Sequence, residues 1–199
     1  MTDRVRRVGW LAMTVFALAI ALISTRYFAG DPAAFFEQQR LVFLAHQAPL
    51  YLHIGGGVLA LALGPFQFVR RLRERLPLVH RLTGRVYVVA VLAAGVGGLL
   101  LAPRAFAGPV AASGFAAMAA VLLATTIVAF VNIRRGLVPR HRAWMTRSYA
   151  VIFSAVTFRL WIGGLPAAGL SFDAAYASGA WASWIINLLV AELVIRGRR

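Results

Sequence analysis

The sequence contains six apolar stretches of about 20 residues, the length that a helix needs to cross the hydrocarbon core of a bilayer. Hydrophobic residues make up 61% of its 199 positions, far more than in a soluble chain. Helices and closed barrels are the only structures that satisfy their backbone polar groups in lipid. The pattern therefore predicts an all-α, polytopic membrane helix bundle, with residues 1–199 as a single integral membrane domain. We place the six spans at about residues 8–28, 48–69, 82–102, 112–133, 144–165 and 178–195.

Charge alternates sharply from one turn to the next. All 21 basic residues are arginine, and most lie before span one, around the turns after spans two and four, or after span six. The turns on the other side hold only Arg26, Arg40 and Arg104, beside acidic residues. The positive-inside rule then predicts both termini in the cytoplasm of a bacterium, with the chain in its inner membrane. The net charge of +15 indicates contact with anionic lipid head groups and not nucleic-acid binding.

The chain lacks the residues that several kinds of catalytic and binding site require. It has no cysteine, which excludes disulfides, thiolate catalysis and iron–sulfur clusters. The glycines at 55–57 are not followed by a phosphate-binding lysine, since the chain has none. Its six carboxylates are too scattered along the sequence for a two-acid hydrolase or a di-metal site. The four histidines are then the residues to consider.

Two stretches of the chain, 66–87 and 129–149, repeat each other and carry a histidine at the same place. Each copy is an apolar helix end, an arginine-rich turn, a proline, a His-Arg pair and the start of another apolar helix. Repeats in the same orientation imply a pseudo-two-fold axis along the membrane normal, which would bring His80 opposite His141. Spans two to five would then form a four-helix core from two related hairpins, flanked by spans one and six.

Two facing imidazoles from different helices are what a bis-histidine haem requires. We therefore predict that His80 and His141 ligate the iron of a b-type haem. The arginines that follow these histidines are the natural partners of the haem propionates, namely Arg81, Arg85, Arg142 and Arg147. Glycines accompany His53 and His80 along their helices, and they have two interpretations. They allow close packing of helices, or they make room for a flat macrocycle.

Other polar and aromatic residues have structural interpretations. Arg159 is expected near the outer face, where it snorkels or pairs with Asp173. Glu192 is expected to meet the arginine-rich turns. Asp31-Pro32 predicts the start of an interfacial helix, with Phe35 in the head-group region. The aromatic residues near the span ends predict two interfacial belts, with Trp161, Tyr176, Trp181 and Trp184 outside and Tyr87, Trp144 and Tyr149 inside.

Three motifs resemble a bacterial family of multi-pass membrane proteins that carries a domain of unknown function. They are the run from His53-Ile54-Gly55-Gly56 to Gly64-Pro65-Phe66-Gln67-Phe68, the pattern Pro77-x-x-His80-Arg81-x-x-Gly84-Arg85, and His141-Arg142-x-Trp144-Met145 continuing to Phe158-Arg159. The resemblance covers roughly residues 40–165. It brings no assigned activity.

A more distant likeness concerns His53 with Gly57 and Gln67, followed by a basic turn and then His80 with Gly84. These residues are similar to two consecutive helices of the cytochrome b561 family. That family holds two b-type haems between histidines on four helices and passes electrons across a membrane. The resemblance implies that His80 is an inner-haem ligand and His53 an outer one. The span at 112–133 has no histidine, so an outer haem would need His46 or Met118, and we expect at most one well-formed haem.

Together these patterns favour b-type haem-dependent electron transfer, with quinol as an electron partner. The alternative is a cofactor-free membrane protein, either a small transporter or an accessory subunit of a larger complex. In that case the His-Arg turns would bind an anionic lipid or a partner subunit. The sequence leaves both interpretations open.

Overall fold

The computed structural model describes residues 3–197, and α-helices with short 3-10 turns make up the regular structure of that range. The α-helices are α1 (Asp3–Ser24), α2 (Arg40–Ala45), α3 (Gln47–Gln67), α4 (Arg70–Arg75), α5 (Pro77–Leu101), α6 (Gly108–Arg134), α7 (Val138–Ile152), α8 (Ser154–Ala167) and α9 (Phe172–Arg196). The 3-10 turns are Thr25–Phe28, Pro32–Ala34, Glu37–Gln39 and Ala102–Arg104.

Six helical stretches within residues 3–197 are long and apolar enough to cross a membrane, which confirms the predicted all-α polytopic bundle. They are Arg7–Phe28, Gln47–Gln67, Pro77–Arg104, Gly108–Arg134, Val138–Ala167 and Phe172–Arg196. Helix α5 begins five residues before the predicted span because Pro77 occupies its first turn, where no backbone N–H is needed. The fifth stretch is interrupted at Phe153, whose carbonyl oxygen accepts hydrogen bonds from the amides of both Val156 and Thr157.

The helices pack as two hairpins with flanking helices. Helix α3 lies along α5 and helix α6 lies along α7, and α5 packs against α6 to join the two hairpins. Helix α1 contacts α3 and α8, and α9 contacts α6, α7 and α8. This arrangement confirms the four-helix core with spans one and six at its sides. We call the end with the basic turns the basic end, and the other end the opposite end.

The sequence repeat is also a structural repeat at the basic end. His80 is the fourth residue of α5 and His141 is the fourth residue of α7. The backbone N–H of His80 donates to the oxygen of Leu76 at 3.0 Å, and that of His141 donates to Leu137 at 2.9 Å. The two histidines therefore occupy equivalent positions in the first turns of equivalent helices.

The bundle places many of its large aliphatic side chains outside, as a lipid environment permits. Leu22 and Leu193 are 72% and 70% exposed, whereas small residues and tyrosines fill much of the interior. Two predictions of aromatic belts are corrected here. Tyr87 and Tyr149 are buried in the core and do not form an inner belt, and Tyr176 and Trp184 are buried as well. Lipid and protein interior are equally apolar, so an aromatic residue near a span end is stable in either place.

The segment that joins α1 to α3 folds back onto the helices. Asp31 caps a 3-10 turn, where its carboxylate accepts a hydrogen bond from the Ala33 amide at 2.8 Å. Phe35 is 5% exposed and packs between the rings of Tyr27 and Phe43. The expectation of an interfacial helix with Phe35 among lipid head groups was therefore wrong, because protein aromatics surround this ring.

Candidate functional site

A cavity of about 530 Å³ lies in the half of the bundle away from the basic turns. We call it the central cavity, because residues from α1, α3, α5, α6, α7, α8 and α9 line it. Its apolar walls include Leu61, Leu122 and Val151. Cavities of several hundred Å³ with apolar walls and a few polar groups are typical of sites for small molecules and cofactors.

His53 lines the central cavity from α3 and is held in one orientation. Its Nδ1 lies 2.9 Å from the carbonyl oxygen of Ala94 on α5. Because a carbonyl can only accept, Nδ1 carries the proton in this bond and Nε2 keeps its lone pair. No described residue bonds to Nε2. This is the arrangement in which an imidazole is ready to ligate a metal, with a carbonyl that fixes its tautomer and raises its basicity.

Arg159 and Met118 line the same cavity. The Arg159 guanidinium donates to the oxygen of Ala155 at 2.8 Å and to the hydroxyl of Ser24 at 3.1 Å, so it ties α8 to α1. Of the two expected alternatives for Arg159, pairing with Asp173 does not occur. The guanidinium donates to these two oxygens instead. The thioether of Met118 accepts a hydrogen bond from Ser154 at 3.1 Å. Arg26 lines the cavity too and is exposed, so the cavity reaches the surface there.

The glycines beside the histidines mostly serve close packing. A Cβ built on Gly64 would overlap the ring of Tyr149, and one on Gly98 would lie 3.1 Å from Nδ1 of His53. Gly57 differs, because a Cβ there would meet nothing within 4 Å and the residue lines the central cavity. Gly64 and Gly98 therefore serve close packing of the helices. Of these three glycines, only Gly57 adjoins open space that a ligand could occupy.

His80 and His141 lie in the first turns of α5 and α7 at the basic end. His80 lies within electrostatic range of His141, Arg73 and Arg142. Nδ1 of His141 donates to the oxygen of Ala129 at 2.9 Å, whereas Nδ1 of His80 is buried without a hydrogen-bond partner. Neither histidine lines the central cavity. The prediction that they share one haem iron stays a prediction.

Buried hydroxyl groups fill the core between the inner histidines and the central cavity. The Tyr87 hydroxyl lies 3.0 Å from that of Ser148, which lies 2.8 Å from that of Thr126. The Tyr149 hydroxyl donates to the oxygen of Leu61 at 3.2 Å. Sequence reasoning missed this cluster, although Tyr87 and Tyr149 occupy equivalent places in the repeat. Their rings lie two turns beyond the inner histidines along α5 and α7, and they contact each other in the core.

The two basic turns come together at this end. Burial lowers the pKa of Arg73, in α4, from its ordinary value, and the charge of Arg142 lowers the pKa further. The charge of Arg70 acts in the same direction and that of Glu74 acts against it. The fold therefore concentrates positive charge from both halves of the repeat.

The predicted propionate partners have different surroundings. Arg147 forms a two-pronged ion pair with Glu192 and lies 4.5 Å from the ring centre of Trp144. This pair confirms that Glu192 meets the arginine-rich region. The Arg147 guanidinium, which was expected to bind a propionate, therefore already has an anionic partner. Arg81, Arg85 and Arg142 are exposed. Arg85 lines a groove that opens on the side of the bundle and does not face the central cavity.

His46 lies in the turn before α3 and does not line the central cavity. Its Nδ1 lies 3.0 Å from the oxygen of Val42, one turn earlier. Of the two outer partners considered for His53, only Met118 faces the same cavity. No group of three or more potential metal-ligating residues of the His, Cys, Asp or Glu type occurs within the described part of the chain.

No curated protein and no solved structure matches the chain significantly. The resemblance to cytochrome b561 therefore gains no support from these comparisons. The family model described as "Predicted membrane protein (DUF2306)" matches residues 50–195, which include both hairpins and α9. This match confirms the resemblance to a family of membrane proteins of unknown function. The chain belongs to the family of predicted membrane proteins with the domain DUF2306.

Proposed function

We propose that the protein binds one b-type haem in the central cavity and transfers electrons, with His53 as an axial ligand. The observation that carries the proposal is a cavity of about 530 Å³ lined by an imidazole whose Nε2 has no partner among the described residues. The chain is an integral membrane protein, and we further propose that it lies in a bacterial inner membrane with the basic end in the cytoplasm. Six crossings would bring both termini to that side.

The residues around the central cavity suit a flat apolar ligand with an anionic edge. Among the described residues, Arg26 and Arg159 are the charged members of the lining, which includes no carboxylate. Arginine forms two-pronged bonds with carboxylates and is therefore suited to haem propionates. Gly57 leaves open space in the lining, and the Met118 thioether on α6 would be the second group to hold the haem.

Each of these residues has a distinct part in the proposed function. His53 would hold the iron, and its bond to Ala94 would keep the ring in place. Arg159, anchored by Ser24, would neutralise negative charge and so raise the midpoint potential. The apolar walls would exclude water from the site. A bound b-type haem supplies one-electron redox chemistry, for which a quinol is a suitable donor in the membrane.

The proposal is tested first by colour and then by matched histidine variants. The wild-type protein, expressed with haem supplementation and purified in mild detergent, should show a Soret band and a reduced α-band. His53→Ala should lose most of the haem. His46→Ala is the matched control, because its imidazole also donates Nδ1–H to a carbonyl but lies outside the cavity. It should keep the spectrum.

Further variants separate ligation from misfolding. His53→Gly should regain a low-spin spectrum when imidazole is added, because the free ligand can enter the space that the side chain leaves. Arg159→Gln should retain haem but lower its midpoint potential, since it removes a positive charge near the site. Loss of haem in His80→Ala or His141→Ala, with His53→Ala unaffected, would move the site to the inner pair.

A folded, colourless wild-type protein would overturn the haem proposal. The cofactor-free alternative would then gain weight, and the central cavity would be the place to look for its substrate. Two arginines without a carboxylate in the lining favour an organic anion over a cation. Thermal stabilisation by long-chain carboxylates, reduced in Arg159→Gln, would support that alternative.

A further inference from the structure

A groove of about 370 Å³ runs between α3 and α5 on the side of the bundle, separate from the central cavity. Gly56 and Leu59 of α3 contribute to it, together with five residues of α5 that begin at Arg85 and end at Ala93. Leu59 and Val89, on its walls, are 50% and 67% exposed. Because both helices cross the membrane, this surface faces lipid.

Arg85 lies at the basic end of the groove without a protein partner. It is eight residues beyond the start of α5, or about 12 Å along the helix axis. It is exposed and makes no hydrogen bond or ion pair with the described residues. A guanidinium at this depth on a lipid-facing surface requires a counter-anion or must reach back to the interface.

Comparison of the two copies of the repeat shows that Arg85 lacks the ion pair that Arg147 forms. Arg85 corresponds to Arg147, since each precedes a buried tyrosine by two residues, although Arg85 follows its histidine by five residues and Arg147 by six. Arg147 is neutralised by Glu192, which α9 supplies. Among the described residues, no carboxylate takes the equivalent place beside Arg85. Arg85 is therefore free to pair with an anion from outside the chain.

We propose that the groove between α3 and α5 is a specific site for an anionic phospholipid. The phosphate would meet Arg85, whose planar fork suits two phosphate oxygens. One acyl chain would lie along the apolar walls, past Leu59 of α3 and Val89 of α5 towards Ala93. Basic pockets between membrane helices with apolar extensions are suited to such lipids. Charge complementarity and the shape of the groove therefore select an anionic over a zwitterionic lipid.

The test compares lipids on the purified, delipidated full-length protein in detergent. Phosphatidylglycerol should raise the midpoint of thermal unfolding more than phosphatidylcholine with the same acyl chains, because only the former carries a net charge to match Arg85. Inorganic phosphate should give no comparable increase, since it lacks the acyl chain. An equal effect of phosphate would indicate a site for a soluble anion, and equal effects of the two lipids would show no head-group selection. Either result would overturn the proposal.

Variants place the effect in the groove. Arg85→Gln should weaken phosphatidylglycerol binding by about tenfold or more, as expected for the loss of a charged hydrogen-bond donor. Arg81→Gln is the matched control, because Arg81 is also exposed but does not line the groove, and it should leave binding unchanged. Ala93→Leu should weaken both lipids by narrowing the groove. Native mass spectrometry should find one retained phosphatidylglycerol on wild type and on Arg81→Gln. Retention by Arg85→Gln at the wild-type level would refute the site.

Discussion

The contact between α3 and α5 at Gly56 makes a sharp prediction about stability. A Cβ built there would lie 2.6 Å from the backbone nitrogen of Ala94 and would overlap the oxygen of Ala90. Ordinary contact begins at 3.4 Å, so relieving the Ala94 contact alone requires a separation of about 0.8 Å, and the closer Ala90 oxygen requires more. Both obstacles are backbone atoms, which no rotamer change can move. We expect Gly56→Ala to lower the free energy of unfolding by about 1–3 kcal/mol, the range for overpacked interiors.

The neighbouring glycine provides the control. A Cβ on Gly57 would meet nothing within 4 Å, although Gly57 lies in the same helix one residue later. Both substitutions gain the same helix propensity, about 1 kcal/mol, and restrict the unfolded chain equally. Unfolding by SDS in mixed micelles should therefore find Gly57→Ala as stable as wild type or slightly more stable. Equal stabilities for the two variants would refute the inference that α3 and α5 touch at Gly56.

Much of the architecture could be predicted from the sequence, because a chain in lipid must satisfy a few strict physical constraints. Six apolar stretches of sufficient length predicted six crossings, and the internal repeat predicted that spans two to five form two related hairpins. The proline before each inner histidine correctly predicted a helix start, since proline fits the first turn. Glu192 was correctly expected near the arginines because an isolated carboxylate is costly at that depth.

The positions of individual side chains around each helix were harder to predict. In a soluble helix, apolar residues mark the buried face. In lipid the exposed face is equally apolar, so the spacing of apolar residues no longer predicts which face is buried. Tyr87 and Tyr149 were therefore assigned to an interface, although each is nearly inaccessible. Their hydroxyls find partners inside the bundle, which makes burial favourable. The presence of a tyrosine at the same place in both copies of the repeat was the sequence signal that could have indicated their burial.

The central cavity has no signature in the sequence at all. Its walls come from helices that are distant in the sequence, so its shape depends on long-range contacts. The bond between Arg159 and Ser24 joins positions 135 residues apart in the chain. The sequence singled out His53 by its glycine-lined helix face, and only the family resemblance gave it a ligand role. Its orientation by Ala94 and its place on the cavity wall are properties of the packed helices.

Two further predictions concern topology and the buried hydroxyl groups. A periplasm-active reporter fused to the C-terminus should be inactive if the basic end is cytoplasmic, and clear activity there would reverse the proposed orientation. Ser148→Ala should destabilise the protein more than Tyr87→Phe. Ser148→Ala leaves the Tyr87 hydroxyl buried without its partner, at a cost of about 1–3 kcal/mol, whereas Tyr87→Phe leaves Ser148 bonded to Thr126. Because Tyr87 is 1% exposed, water cannot replace the lost partner without opening the core. The double variant lacks this unpaired hydroxyl and should be at least as stable as Ser148→Ala alone, which gives a coupling energy of about 1 kcal/mol or more between the two hydroxyls. Strictly additive losses, measured by SDS titration, would show that the two groups do not interact.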